Sequence, residues 1–270
     1  MKTALTIAGF DPSSGAGITA DLLVFAAFGH FGSSAITSLT VQSTTGVRES
    51  HPVKADVLRA TLDCLHLDLP PDGIKIGMLA TADIVATVAG YVEQVRQLQP
   101  DTLVVLDPIL RSSSGRELLS QEGFELLHAR LLPLVDWVTP NLAELSLLSG
   151  LPVRGHDQVE PAARALHAYV PGCNILATGG HLGKPDDLLI AAGGVTATAH
   201  WIPGEHIVST STHGTGCALS SALLSRLLLG DSAVEAATTA KRYVAEAIRR
   251  AEPIGHGHGP LNHLWPMRHS

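Results

Sequence analysis

The stretch Ala4-Leu5-Thr6-Ile7-Ala8-Gly9-Phe10-Asp11-Pro12-Ser13-Ser14-Gly15-Ala16-Gly17 runs from a short apolar segment straight into a glycine-rich loop. Ala4–Ala8 has the length and character of a buried strand, and Asp21–Phe28 beyond the loop reads as helix. Strand, loop and helix form one βα unit. In an open α/β sheet such a loop lies at the carboxyl edge of the strands, where ligands bind. It is not a Walker A loop, because no Gly-Lys-Ser/Thr follows, and it is not GxGxxG. Asp11 reads as a turn residue or a site residue. Asp21 reads as a solvated helix charge or a ligand contact.

The same rhythm repeats along the chain. Ser34–Val41, Gly73–Met78, Thr102–Leu106, Trp137–Thr139 and Asn174–Ala177 are further strand candidates. Ala82–Leu98, Ser120–Leu132 and Val159–Tyr169 carry helical patterns between them. This order predicts an α/β fold with a mainly parallel sheet covered by helices on both faces. Later, Asp187–Ala192 and Val195–His200 flank Gly193-Gly194 and predict a small antiparallel hairpin. Two helices follow Cys217, the second with Ala233, Ala237, Ala240, Val244, Ala247 and Ile248 on one stripe. No repeat, low-complexity segment or linker divides the sequence, so residues 1–270 read as a single domain. That length suffices for one large core.

Composition removes several classes. Eighteen basic against 25 acidic residues give a net charge of -7, without the basic stripe that nucleic-acid binding needs. Hydrophobic residues make up 45% of the chain and aromatics 4%, which suits a core of Ala, Val, Leu and Ile. No secretory leader and no bilayer-length apolar run is read, so a cytoplasmic location without membrane partners is expected. Cys64, Cys173 and Cys217 read as reduced thiols of such a compartment.

The chemistry is concentrated at strand ends. In Thr212-His213-Gly214-Thr215-Gly216-Cys217-Ala218-Leu219-Ser220, two glycines stand just ahead of a helix-forming segment. Their amides and the helix N-terminus suit a phosphoryl group in flight, although an ordinary strand-to-helix turn has the same look. Cys217 falls in the first turn, where the helix field predicts a lowered thiol pKa. Asp107 ends an apolar strand and is placed to reach a bound Mg²⁺. Asn141 and Glu144 follow the strand end Thr139-Pro140. They read either as ligands of a hydrated metal or as a helix N-cap with its capping-box partner.

Four segments together resemble a known family: Ala8–Gly17, Lys75-Ile76-Gly77-Met78-Leu79, Thr139-Pro140-Asn141-Leu142-Ala143-Glu144 and His213–Ser220. The combination is similar to the hydroxymethylpyrimidine/phosphomethylpyrimidine kinases of thiamine synthesis, members of the ribokinase-like superfamily. The likeness extends from Ala4 to about His263. Sugar kinases of that superfamily normally carry Gly-Thr-Gly-Asp where this chain has Cys217. The resemblance implies a three-layer ribokinase-like fold, Mg-ATP as phosphoryl donor, a pyrimidine alcohol as acceptor and a homodimer. It further implies that Gly9, Asp21, Val41, Gln42, Met78, Ile109 and Cys217 surround the pyrimidine. Asp107, Asn141 and Glu144 would organise the Mg-phosphate side. The amides of Gly214, Thr215, Gly216 and Cys217 would form the anion hole, with Cys217 assisting removal of the hydroxymethyl proton. A carboxamide at Gln42 suits an aminopyrimidine edge because it both donates and accepts.

The chain also departs from the family pattern. Ser113, Thr178 and Thr210 stand where the family usually has lysines near the polyphosphate. A hydroxyl does not replace an ammonium as a phosphate partner. Thr178, Thr210 and Lys241 remain the nucleotide-side candidates, with Arg111 as a substitute cation. The expected reaction is phosphorylation of 4-amino-5-hydroxymethyl-2-methylpyrimidine. The family's second step, on the monophosphate, is disfavoured by the missing charge. A pyridoxal or pyridoxine kinase and a non-catalytic vitamin-binding protein are the alternatives.

Overall fold

The computed structural model describes residues 1–112, 115–180, 183–192 and 197–267. β1 (Thr3–Phe10), α1 (Gly17–Ala27) and β2 (Phe31–Ser43) form the first βα unit, followed by an edge strand, β3 (Gly46–Pro52). Then come α2 (Ala55–Asp68), β4 (Gly73–Ile76), α3 (Ala82–Leu98), β5 (Leu103–Leu106), α4 (Gln121–Leu126) and β6 (Trp137–Val138). The chain continues through α5 (Leu142–Ser149), α6 (His156–Tyr169), β7 (Asn174–Ala177), β8 (Asp187–Ala191) and β9 (Thr198–Ile202). It finishes with α7 (Thr215–Leu228) and α8 (Ala233–Arg249).

The strands make one sheet in the order β3-β2-β1-β4-β5-β6-β7-β8-β9. β2, β1, β4, β5, β6 and β7 run parallel, while β3, and β8 with β9, pair antiparallel at the two ends. Side chains alternate between two cores along each strand, as period-two geometry requires. Leu5, Ile7, Val104, Leu106, Ile175 and Ile190 face one side with α2, α3, α5 and α6. Ala4, Val105, Leu176 and Leu189 face the other with α1, α7 and α8. The three-layer α/β arrangement is therefore present.

Local chemistry sets the helix ends. Thr81 caps α3 by accepting from Ile84 N, and Ser232 with Glu235 forms a capping box on α8. Several expected boundaries are corrected. β2 is longer than the apolar run at 34–41, because β3 pairs with its outer half. β3 itself (Gly-Val-Arg-Glu-Ser-His-Pro) carries no strand periodicity, since an exposed edge strand needs none. The helix expected at 120–132 is α4 followed by a π-turn at Leu127–Leu131 and a 3₁₀ turn at Leu132–Leu134, where Pro133 supplies no amide donor. β9 starts later than expected and runs to Ile202; the Gly193-Gly194 turn lies outside the described residues.

The sheet order reverses direction between β1 and β4, which makes a topological switch point. Ligands of doubly wound sheets bind at the carboxyl ends beside such a point.

Candidate active site

Two glycine loops meet at that edge. Gly214, the N-cap of α7, has φ +83 and no side chain caps the helix. A Cβ on Gly214 would overlap the carbonyl of Gly15, so only glycine permits the approach. The first amides of α7 are thereby left open, with Thr215 partly exposed and Gly216 exposed. Gly216 sits against Asp107: a Cβ there would lie 3.8 Å from Asp107 Oδ2. Ser220, one turn on, donates to the same oxygen at 3.2 Å.

Beneath the helix lies a buried charge cluster. Lys75 on β4 is wholly enclosed and donates to Asp21 Oδ2 at 3.0 Å. Asp21 also accepts from Thr6 Oγ1 at 2.6 Å and from Ser221 Oγ at 2.7 Å. The Asp21 carboxylate, expected against the ring amino group, thus faces inward at 0% exposure and holds Lys75. Burial works against the Lys75 ammonium, but Asp21, Cys217 and Asp107 outweigh it and raise its pKa. Lys75 carried no role in the sequence. Its signal was a charge between Ile74 and Ile76 on a strand buried on both faces, which demands a partner.

The expected thiolate at Cys217 is corrected. Burial pushes this thiol up to about 12; Lys75 and a hydrogen bond from Gly17 N–H pull it down, and Asp107 and Asp21 push it further up. Burial is the largest cause, because Cys217 is only 6% exposed. Asp107 is pushed by burial to about 6, with Lys75 opposing and Asp21 adding to the shift.

Asn141 and Glu144 do form a capping box, with Glu144 N to Asn141 Oδ1 at 3.0 Å and Asn141 N to Glu144 Oε2 at 2.9 Å. Yet Glu144 is buried, and burial followed by repulsion from Asp107 lifts its carboxyl to about 8 against backbone hydrogen bonds from Asn141 and Leu110. A cap alone gains nothing from a second carboxylate nearby. Thr139 Oγ1, at the end of β6, is buried without a hydrogen-bond partner. Two carboxyls close enough to repel each other fit a small hard cation. No three His, Cys, Asp or Glu gather around one point among the described residues, so such an ion would complete its shell from phosphate and water.

The residues expected around the ring lie partly together. A Cβ at Gly9 would stand 3.0 Å from Met78 Sδ, and one at Gly77 would stand 3.7 Å from Ile109 Cδ1. Met78 is buried, Val41 is 45% exposed and Gln42 is partly buried. Gln42 Nε2 lies 3.0 Å from His213 Nε2, which is itself 2.7 Å from Asp11 Oδ2. This His213–Asp11 contact joins residues far apart in sequence and was not foreseen.

Of the residues expected to face the nucleotide, Thr178 bridges to Asn141 and donates its N–H to Pro140 O at 2.9 Å. Thr210 is exposed, and its carbonyl accepts from Gly259 N at 3.0 Å. Lys241 is committed to Asp187 Oδ2 at 2.8 Å and Pro185 O at 2.7 Å; Asp187 in turn accepts from Gly179 N. Its ammonium braces the loop after Thr178. Arg111, largely exposed, pairs with Glu117 at 3.2 Å. Ser113 lies outside the described residues.

Comparisons with known proteins identify the family. The family model described as phosphomethylpyrimidine kinase matches residues 11–262. The chain belongs to the phosphomethylpyrimidine kinase family. It is therefore a kinase, and its fold is ribokinase-like. It is 37% identical over 255 residues to the hydroxymethylpyrimidine/phosphomethylpyrimidine kinase of Aquifex aeolicus, covering 94% of this chain and 97% of that one. It is 39% identical over 260 residues to the thiamine biosynthesis bifunctional protein ThiED of Geobacter sulfurreducens; this covers 96% of this chain and about half, 52%, of that protein. The solved ADP complex of Bacillus subtilis pyridoxal kinase superposes with a TM-score of 0.86 at 33% identity, covering 99% of each chain. No helix among the described residues is long and apolar enough to cross a membrane.

Proposed function

We propose that this kinase transfers the γ-phosphoryl group of ATP to the hydroxymethyl oxygen of 4-amino-5-hydroxymethyl-2-methylpyrimidine, in thiamine biosynthesis or salvage. The observation that carries the reading is the uncapped, glycine-led N-terminus of α7, set against buried Asp107. The amides of Gly214, Thr215, Gly216 and Cys217 receive the charge that develops on the transferred group. Met78 and Ile109 give the ring an apolar bed, Val41 flanks it, and Gln42 reads its polar edge. Glu144 and Asn141 would hold Mg²⁺, with the charge of Asp107 behind them. The ion supplies neutralisation of the phosphate oxygens when bound. Thr178 and Thr210 line the phosphate side, and Lys241 acts through Asp187.

With Cys217 protonated, Asp107 is the ionised base beside the first turn of α7 at neutral pH. A loose phosphoryl transition state lets the alcohol proton leave late, so a carboxylate base suffices. We therefore place proton acceptance on Asp107 and the sulfur of Cys217 against the ring. Asp21 serves through Lys75.

Pyridoxal phosphorylation is the second reading, favoured by the likeness to the pyridoxal kinase fold over 99% of both chains. ADP release measured with the pyrimidine alcohol and with pyridoxine, side by side, tests both. Faster turnover of pyridoxine would replace the first reading with the second. Turnover of neither would leave a vitamin-binding protein. A homodimer and a cytoplasmic location complete the proposal, supported by exposed Phe31 and Leu39 on β2 and by three free cysteines.

A further inference from the structure

We propose that Asp11 and His213 form a positioning pair that fixes which way round Gln42 presents its carboxamide, and so which ring edge the pocket accepts. The inference rests on the pyrimidine-alcohol reading above and adds the device that sets ring specificity. The two ends of a carboxamide are nearly alike in shape, so hydrogen-bond partners decide its orientation.

Gln42 is placed with Nε2 toward His213 Nε2 at 3.0 Å and Oε1 toward Thr40 Oγ1 at 3.2 Å. Both contacts conflict with their surroundings. His213 Nε2 also lies 2.7 Å from Asp11 Oδ2, and a carboxylate only accepts, so that nitrogen must carry a proton. A protonated Nε2 has no lone pair for the Gln42 amide. The Thr40 hydroxyl has one proton, and it already serves the Phe10 carbonyl at 2.9 Å. Turning the carboxamide by half a rotation resolves both conflicts. Its oxygen then shares the His213 N–H with Asp11 in a three-centre bond, and its amide donates to a free lone pair of Thr40.

Asp11 is built to enforce this state. Its Oδ1 accepts from Ser13 N at 2.8 Å and Ser13 Oγ at 2.7 Å, and Oδ2 accepts from Ala16 N at 3.0 Å. Burial raises its carboxyl, but the bonds from His213 and Ser13 outweigh that and hold it below the usual range. The imidazole is fixed as well: a Cβ on Gly15 would overlap it. An aminopyrimidine presents a donor beside a ring acceptor, whereas its 4-oxo analogue presents the reverse. A carboxamide locked one way round distinguishes the two.

The test is calorimetric binding of the 4-amino and 4-oxo pyrimidine alcohols to the full chain and three variants. Asp11→Asn can offer His213 a donor and so favours a bare Nε2. His213→Phe fills the space at Gly15 without a nitrogen, and His213→Gln restores a donor. The unmodified protein should prefer the amino ring by roughly tenfold or more, the effect of one mismatched buried hydrogen bond. Asp11→Asn and His213→Phe should shrink that preference about tenfold, and His213→Gln should keep it. If Asp11→Asn does not fold, the His213 pair carries the comparison alone. Equal weakening of both rings, with the preference unchanged, would overturn the proposal and leave a structural role. An unmodified protein that binds the amino ring without preference would overturn it too. Binding of neither ring would instead overturn the functional reading beneath it.

Discussion

At the scale of single residues, environment outweighs identity. Cys217 and Glu144 keep their chemical character but not their ordinary ionisation, because both are buried beside other acids. Two predictions follow the same logic. Cys217→Ala should retain turnover within about tenfold, whereas Asp107→Asn should lose roughly a hundredfold or more, the usual worth of general base catalysis. Single-turnover rates at pH 7 decide it, and the opposite order would return the base role to the thiol. For Glu144, the carboxyl ionises near 4.5 in the unfolded chain and near 8 in the folded one. Between these values folding takes up a proton, so the contribution of Glu144 is fully present below 4.5 and is lost as pH rises toward 8. Melting temperatures of the metal-free protein across that range should fall less steeply in Glu144→Gln. An identical slope in the two proteins would mean that Glu144 is already ionised.

At the scale of elements, α5 and α7 do double duty. The capping box that starts α5 is made by the same two residues proposed to hold Mg²⁺. Glu144→Gln should therefore keep a cap-competent helix and raise the Mg²⁺ requirement more than the pyrimidine KM. Titration of Mg²⁺ at fixed ATP measures this, and an unchanged metal dependence would reduce the pair to a cap. At α7, the open N-terminus exists because Gly214 packs on Gly15. Neither loop alone leaves the α7 amides open in this way; their contact does, and it is what the proposed anion site depends on.

At the scale of the whole molecule, charge decides which reaction the pocket supports. Lys75 is spent on Asp21, Lys241 on Asp187 and Arg111 on Glu117. Thr178 and Thr210 bring no charge. A monophosphate substrate adds nearly two negative charges beside ATP, and close like charges cost several kcal/mol unless countered. The neutral pyrimidine alcohol should thus be phosphorylated efficiently and its monophosphate poorly. Comparing kcat/KM for the two at equal ionic strength checks this, and Thr178→Lys should improve the second step more than the first. Equal values for the unmodified protein would show that other cations reach the phosphates.

Much of this was legible in the residues. Apolar runs alternating with helical stripes determined the parallel three-layer sheet, because burial on two faces leaves that pattern in any sequence. Strand-end Asp107, the Asn141–Glu144 spacing and the glycines before Cys217 were legible as the proposed site through local geometry alone. β3 was illegible because an exposed edge strand carries no apolar period. Cys217's protonation, the inward turn of Asp21, its pairing with Lys75 and the Asp11–His213–Gln42 contacts were decided only by the tertiary structure. Each depends on desolvation or on a partner distant in the chain: 54 residues separate Lys75 from Asp21, and 202 separate His213 from Asp11. A sequence displays its periodicities and local caps directly, but the dielectric around a side chain and the identity of its partner exist only once the layers have packed.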